Sequence, residues 1–177
     1  MKQNSSLHRL TQTALIAALY AVLTLILPVA SFGPVQLRFS EALTLLPVIS
    51  KRAIVGLTIG CAIANALGVA MGANIAGAWD ILFGAAATLI AALLSYACRR
   101  VRVKGAAVLS AIFPILVNAV IIGAELTWVV LDTFTFGGFL LMAGQVALGE
   151  IVPCLVGGVL LVKVLEKTGL SAKIFSE

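Results

Sequence analysis

The chain has 177 residues, of which 62% are hydrophobic and 11% charged, and its formal net charge is +5. A water-soluble domain of this size could not bury so much apolar side chain, so these proportions exclude a soluble globule and indicate a protein surrounded by lipid. The basic residues lie in short polar segments without interleaved aromatic residues. The positive charge therefore indicates orientation in a membrane, and we expect no nucleic-acid partner.

In chain order, the first element is an apolar run at residues 11–30, preceded by Lys2 and Arg9. It is too long for the apolar core of a signal peptide, so it is predicted to be a transmembrane helix. Residues 37–50 are too short for a straight span and contain Pro47, which predicts a short, kinked, tilted second helix. Further apolar segments of about 20 residues, enough to cross about 30 Å of hydrocarbon, lie at 53–71, 78–97, 106–128 and 138–162.

The lysines and arginines support six spans. Six spans place the two tails and two polar connections on one face, which the positive-inside rule assigns to the cytoplasm. The basic residues on that face are Lys2, Arg9, Lys51, Arg52, Arg99, Arg100, Arg102, Lys104, Lys163, Lys167 and Lys173, and the exception is Arg38. Five spans would send the later clusters to the opposite side. We therefore expect an all-α integral membrane protein of the cell membrane, a single domain over residues 1–177 with six transmembrane helices and both termini cytoplasmic.

Motifs for enzymatic chemistry are missing from the sequence. It contains no G-x-x-x-x-G-K-[ST] phosphate loop and no H-E-x-x-H, and its single histidine, His8, lies in the N-terminal tail, where we expect it to be solvated. Cys61, Cys98 and Cys154 fall on separate apolar segments without the spacing of metal ligands, so they are interpreted as structural thiols. We expect no enzyme activity and no metal or cofactor bound by this chain.

Polar side chains inside the spans gather in the middle and outer half of the membrane. An ionisable residue costs about 2.5–3.5 kcal/mol at the centre of a span, so such residues call for a reason. At about 1.5 Å per residue, Asn65 and Asn118 lie about 12 Å below the outer face, and Gln145 lies at a similar depth. The candidate ligand-binding residues, including two from the first outer segment, are Arg38, Glu41, Asn65, Asp80, Asn118, Glu125, Gln145 and Glu150.

These polar residues allow more than one interpretation. Each could hydrogen-bond neighbouring helices together, and Arg38 and Glu41, three residues apart, could neutralise each other. A whole layer at one depth favours a pocket open to the outside. Four acids and one arginine in this half favour a ligand that is rich in hydrogen-bond donors or positively charged, although proton or sodium coupling would use the same acids. Trp79 and Trp128 are interpreted as an interfacial aromatic belt rather than as stacking platforms.

Small residues recur every four positions on two of the spans, a spacing that lets another helix approach closely in lipid. The pairs are Ala14 with Ala18, Ala17 with Ala21, Gly56 with Gly60 and Gly68 with Gly72. The glycine pairs are expected to pack within the chain. The alanine pairs could do the same or could face an external partner.

Five blocks in order along nearly the whole chain resemble the QueT family. They are "VQLRFSEALTLLP", "GLTIGCAIANALG", "DILFGAAATLIAALLSY", "PILVNAVIIGAEL" and "VALGE". Members of this prokaryotic family are substrate-binding S components of energy-coupling factor (ECF) transporters, linked to uptake of queuosine precursors. The resemblance implies a six-helix S component that binds its ligand from outside, beneath the first outer loop.

The resemblance also implies partners, ligands and site residues. An S component works with a transmembrane coupling subunit, the T component, and with two cytoplasmic ATPases that use the ATP, and it is thought to deliver its ligand by toppling in the membrane. The alanine pairs correspond to those that meet the T component in S components. The implied ligands are 7-deazaguanines or queuine, for which Glu41 and Glu150 are favoured, with Asn65, Asn118 and Gln145 beside them, while the role of each acid stays open.

Two other functions are compatible with the same residues. A stand-alone carrier coupled to protons or cations would use the acids for coupling. A membrane scaffold would use the polar layer only to hold its helices together.

Overall fold

A computed structural model describes residues 2–175 as a bundle of helices, with side chains described from residue 6 onward. The α-helices are α1 (Lys2–Leu25), α2 (Pro28–Ser31), α3 (Arg52–Ala70), α4 (Trp79–Ala97), α5 (Val108–Leu131), α6 (Phe136–Ile151), α7 (Val159–Lys167) and α8 (Leu170–Ile174). A 3₁₀-helix covers Phe39–Val48, and a π-helical segment, Val152–Gly158, joins α6 to α7. The predicted all-α fold is confirmed.

Four continuous helices in the described part of the chain are long and apolar enough to cross a membrane: α3, α4, α5 and the combined helix Phe136–Lys167. Helix α1 has 24 residues, but its first turns are polar and it ends at Leu25. The apolar run continues into α2, which starts at Pro28, a residue without the N–H that would extend α1. The count of six spans stays a prediction.

The second predicted span is a 3₁₀-helix rather than a kinked α-helix. Its ten residues rise about 20 Å in all, less than the roughly 30 Å of a hydrocarbon core. It packs against α1, α3, α4, α5 and the π-helical segment, so it lies in the middle of the bundle. This position explains how a segment with Glu41 can be accommodated, because its polar side chains contact protein rather than lipid.

The remaining helices pack in chain order, α1 on α3, α3 on α4, α4 on α5 and α5 on α6. Three contacts bring the basic segments to one end of the bundle. Arg52 donates to Gln12 (2.7 Å), Gln12 donates to the carbonyl of Ile174, and Arg102 pairs with Glu166 (2.6 Å). The basic segments therefore share one end of the fold, and the side of the membrane on which this end lies stays a prediction.

Candidate ligand-binding site

Two buried carboxylates, Glu41 on the 3₁₀-helix and Glu150 on α6, lie at the centre of the site. Glu41 accepts a hydrogen bond from the hydroxyl of Tyr20 on α1 through Oε1. Glu150 accepts one from Nδ2 of Asn118 on α5 at 2.6 Å, also through Oε1. The Oε2 atom of each acid is buried and has no hydrogen-bond partner among the described residues. In each acid, one oxygen is thus fixed by a hydrogen bond within the protein, and the other is free to accept a hydrogen bond from a ligand.

Cys154 lies beside these acids because α6 continues into the wider π-helical turns. Its Sγ is 3.8 Å from the carbonyl oxygen of Glu41. One ligand atom from each of Glu41, Glu150 and Cys154 lies within 4.8 Å of the others. This group offers three ligands, whereas a closed structural zinc site uses four. In addition, one oxygen of each acid already accepts a hydrogen bond.

Arg38 forms a second polar cluster with Asp80, the acid in the first turn of α4. Its Nη2 lies 3.0 Å from Oδ2 of Asp80, and its Nε donates to the carbonyl of Ser31 at 2.9 Å. The interpretation that Arg38 and Glu41 neutralise each other is therefore wrong. Arg38 has extended backbone (φ −105°, ψ 111°) just before the 3₁₀-helix, so the spacing that would pair the two residues on an α-helix does not apply.

Two asparagines complete the surroundings of Asp80. Asn74 donates to Oδ2 of Asp80 at 2.8 Å, and Nδ2 of Asn65 donates to its backbone carbonyl at 2.6 Å. Gly84, one turn along α4, leaves room for this arrangement, since a Cβ there would collide with the amide of Asn65. The Oδ1 atoms of Asn65 and Asp80 are buried without a partner in the described part of the structure.

Glu125 and Gln145 lie on α5 and α6. Glu125 is 4% exposed, and neither of its carboxylate oxygens has a partner within residues 2–175. It borders a groove of about 460 Å³ that is also lined by Phe83, Trp128 and Phe134. The half-buried Gln145 has a buried Oε1 that likewise lacks a described partner. The ring of Trp128 packs on that of Trp79, with 5.6 Å between centroids, and both are about half exposed.

Gln36 is a candidate site residue that sequence reasoning missed. It is 1% exposed, its Nε2 has no partner among the described groups, and its backbone has a positive φ of 45°. The preceding carbonyl, of Val35, lies against Gly149, where no Cβ would fit. Gln36 lies between predicted spans, so counting depth along helices could not include it. The polar residue within "VQLRF" was the only signal.

The two alanine pairs of α1 have different surroundings. Ala17 and Ala21 are buried, and a Cβ on Gly60 of α3 would lie 2.8 Å from the carbonyl oxygen of Ala17. The first glycine pair therefore packs within the chain, as expected. Ala14 and Ala18 are exposed, on the neighbouring face of the helix.

Gly68 also packs internally, against the ring of Phe32. Gly72 does not belong to a packing pair, because it follows α3 with a φ of +67° and no atom of the described residues lies within 4 Å of its Cβ position. Its role is to end the helix, where a positive φ favours glycine.

The charges of the site are unbalanced. Arg38 and Asp80 neutralise each other, which leaves Glu41, Glu125 and Glu150 without a cationic partner in the ion pairs of the described chain. The unpaired buried atoms are mostly acceptor oxygens, and Gln36 supplies an unpaired donor nitrogen. Such an arrangement can bind a ligand that brings several N–H donors or a positive charge.

Comparison with known proteins places the chain in a family. The family model of the QueT transporter matches residues 10–167. The queuosine precursor transporter QueT of Lactococcus lactis subsp. cremoris (strain MG1363) is 34% identical to this chain over 91 residues. These residues cover 50% of this chain and 49% of the relative, so the match spans about half the length of that relative. No solved structure matches. This multi-pass membrane protein belongs to the QueT transporter family.

Proposed function

We propose that this chain is the substrate-binding S component of an ECF-type importer and that it takes up a queuosine precursor, a 7-deazaguanine or queuine. The observation that carries the proposal is the set of buried acceptor oxygens without partners on Glu41, Glu125 and Glu150. Membership of the QueT transporter family and the name of the Lactococcus relative support the substrate class.

The chemistry of a 7-deazaguanine matches this set of acceptors. Its guanine edge presents N1–H and an exocyclic amine, and an aminomethyl arm adds an ammonium group. A buried polar atom that stays unpaired costs about 1–3 kcal/mol. A site built from such atoms therefore discriminates strongly against analogues that lack the matching donors. The remaining polar atoms of the ligand would hydrogen-bond to unpaired amide groups, namely the oxygens of Asn65 and Gln145 and the nitrogen of Gln36.

The S-component role needs a source of energy outside this chain. The sequence has no phosphate loop for ATP hydrolysis. We propose that a T component docks on the exposed Ala14 and Ala18 of α1, where small side chains permit close helix contact. Two cytoplasmic ATPases on the T component would then supply the ATP-driven step, and the whole S component would topple to deliver its ligand.

Calorimetry on the purified chain tests the substrate. We expect 7-aminomethyl-7-deazaguanine or queuine to release binding heat and to raise the unfolding temperature, with guanine as the comparison ligand. The Arg102→Ala variant is the matched control, because Arg102 pairs with Glu166 at the basic end of the bundle. This variant should bind the ligands as the parent chain does. Absence of both heat and stabilisation with every 7-deazaguanine would refute the substrate assignment.

Unpaired carboxylates would also serve a stand-alone carrier coupled to protons or cations. Uptake into vesicles that contain only this chain separates the two functions. An S component alone should give no uptake driven by a pH or sodium gradient, whereas a carrier should. A scaffold would bind no small ligand, and its Glu41 and Asn118 variants would lose only stability.

A further inference from the structure

The three acids without a cationic partner differ in how many oxygens they can offer. Glu41 and Glu150 each have one oxygen engaged, by Tyr20 and by Asn118, and one oxygen unpaired. Glu125 has both oxygens unpaired among the described residues. Of these three acids, Glu125 alone can therefore accept two parallel hydrogen bonds from a ligand without losing a hydrogen bond to another protein side chain.

The acids also form two separate groups along α5. Asn118 and Glu125 are seven residues apart and return to the same helix face, which puts their Cα atoms about 10.5 Å apart along the axis. The carboxylate of Glu150 lies at the height of Asn118 along α5, because Asn118 donates a hydrogen bond to it at 2.6 Å. The pair Glu41 and Glu150 thus lies about two turns from Glu125.

Between these levels, the side chain that α5 turns to the same face is apolar and packed. Ile122 lies four residues after Asn118 and three before Glu125, and it is 1% exposed. It belongs to a buried apolar cluster with Ala76, Ala87, Leu126, Met142 and Val146. A flat heterocycle that spans the two levels would therefore displace part of this cluster and pack on Ile122 in its place. A two-ring system with a one-carbon arm, plus a hydrogen bond of about 2.8 Å at each end, spans a distance of this order.

We propose, on the basis of the proposed function, that Glu125 binds the N1–H and exocyclic amine of the guanine edge, and that Glu41 and Glu150 together bind the cation of the arm. A planar N–H pair fits two oxygens of one carboxylate, whereas an ammonium, which has three divergent donors, fits single oxygens from two carboxylates. The site consequently selects a 7-deazaguanine whose arm carries a protonated amine over one whose arm is neutral.

Paired ligands test the assignment. The parent chain, Glu125→Gln and Glu150→Gln are titrated with 7-aminomethyl-7-deazaguanine and 7-cyano-7-deazaguanine, which share the guanine edge and differ in the charge of the arm. Glu125→Gln should weaken both ligands by a similar factor of about 10 or more, because one acceptor oxygen becomes a donor. Glu150→Gln should weaken the aminomethyl ligand about 10-fold or more and the cyano ligand less than about threefold.

Unfolding temperatures show that each variant is folded, and Glu41→Gln replaces Glu150→Gln if the latter does not fold. Equal weakening of both ligands by the Glu150 or Glu41 variant overturns the inference, as does a parent chain that binds the two ligands equally well. Both results leave the proposed function intact. Failure of the parent chain to bind either ligand refutes the proposed function itself.

Discussion

The guanidinium of Arg38 lies 3.0 Å from the carboxylate of Asp80, and both side chains are nearly inaccessible to solvent. This ion pair ties the segment before the 3₁₀-helix to the first turn of α4. It also engages Asp80, so that among the described residues Glu41, Glu125 and Glu150 are the site acids without a cationic partner. We therefore expect Arg38 to act on the site by positioning its neighbours and by pairing with Asp80, rather than by offering a cation to the ligand.

Breaking this pair should destabilise the fold strongly. Among the described residues, Arg38→Met leaves the buried carboxylate of Asp80 with the amide of Asn74 as its one side-chain donor. Loss of one partner of a buried pair costs about 3–5 kcal/mol, so the unfolding temperature in detergent should fall markedly. Arg102→Ala removes a partly exposed pair and should cost no more than about 1 kcal/mol. Equal losses in the two variants would contradict the role given to Arg38.

The double variant Arg38→Met with Asp80→Asn separates an unpaired charge from lost packing. Removal of both charges should recover part of the stability that Arg38→Met loses, because no buried carboxylate remains without its cation. Additive losses in the double variant would mean that the two residues contribute independently.

Gly149 should tolerate no side chain. The carbonyl of Val35 occupies the position of a Cβ there, so Gly149→Ala must displace the segment that holds Gln36. We expect a loss of about 1–3 kcal/mol in stability and weaker ligand binding. Gly144→Ala is the matched control on the same helix, since nothing in the described part of the chain lies within 4 Å of its Cβ position.

Alanine exceeds glycine in helix propensity by about 0.5–1 kcal/mol, so Gly144→Ala should be neutral or slightly stabilising. A Gly149→Ala variant that matches this control in unfolding temperature and affinity would show that the approach of Val35 to α6 has no importance for the site.

Sequence reasoning found the helices because periodic, long apolar runs determine them locally. It also singled out most of the buried acids and amides of the candidate site, since a polar residue inside such a run stands out; whether they bind a ligand stays a prediction. It could not find the partners of these residues. The pairing of Arg38 with Asp80 depends on a 3₁₀-helix in the middle of the bundle, and a depth count along straight helices contains no such information. Gln36 was missed for a related reason, because a left-handed residue in a loop has no periodic signal.

The two alanine pairs of α1 should respond differently to enlargement. Ala18→Phe adds a ring on an exposed face, so the unfolding temperature should stay unchanged while co-purification with an ATPase-bearing complex is lost. Ala17→Phe adds the same ring where α1 meets Gly60, and overpacking should cost about 1–3 kcal/mol or more. Retention of the complex by the folded Ala18→Phe protein would exclude this face as the docking surface.

Accessibility labelling tests the predicted orientation. Lys51, between the 3₁₀-helix and α3, and Asp132, after α5, are both exposed, and the orientation predicts opposite sides of the membrane for them. Cys61 and Cys154 are buried, so a Cys98→Ser background should give little labelling of its own. In intact cells, a membrane-impermeant thiol reagent should label Asp132→Cys and should reach Lys51→Cys only after permeabilisation. Labelling of Lys51→Cys from outside would invert the bundle, and the unpaired acids would then have to receive their ligand from the cytoplasm.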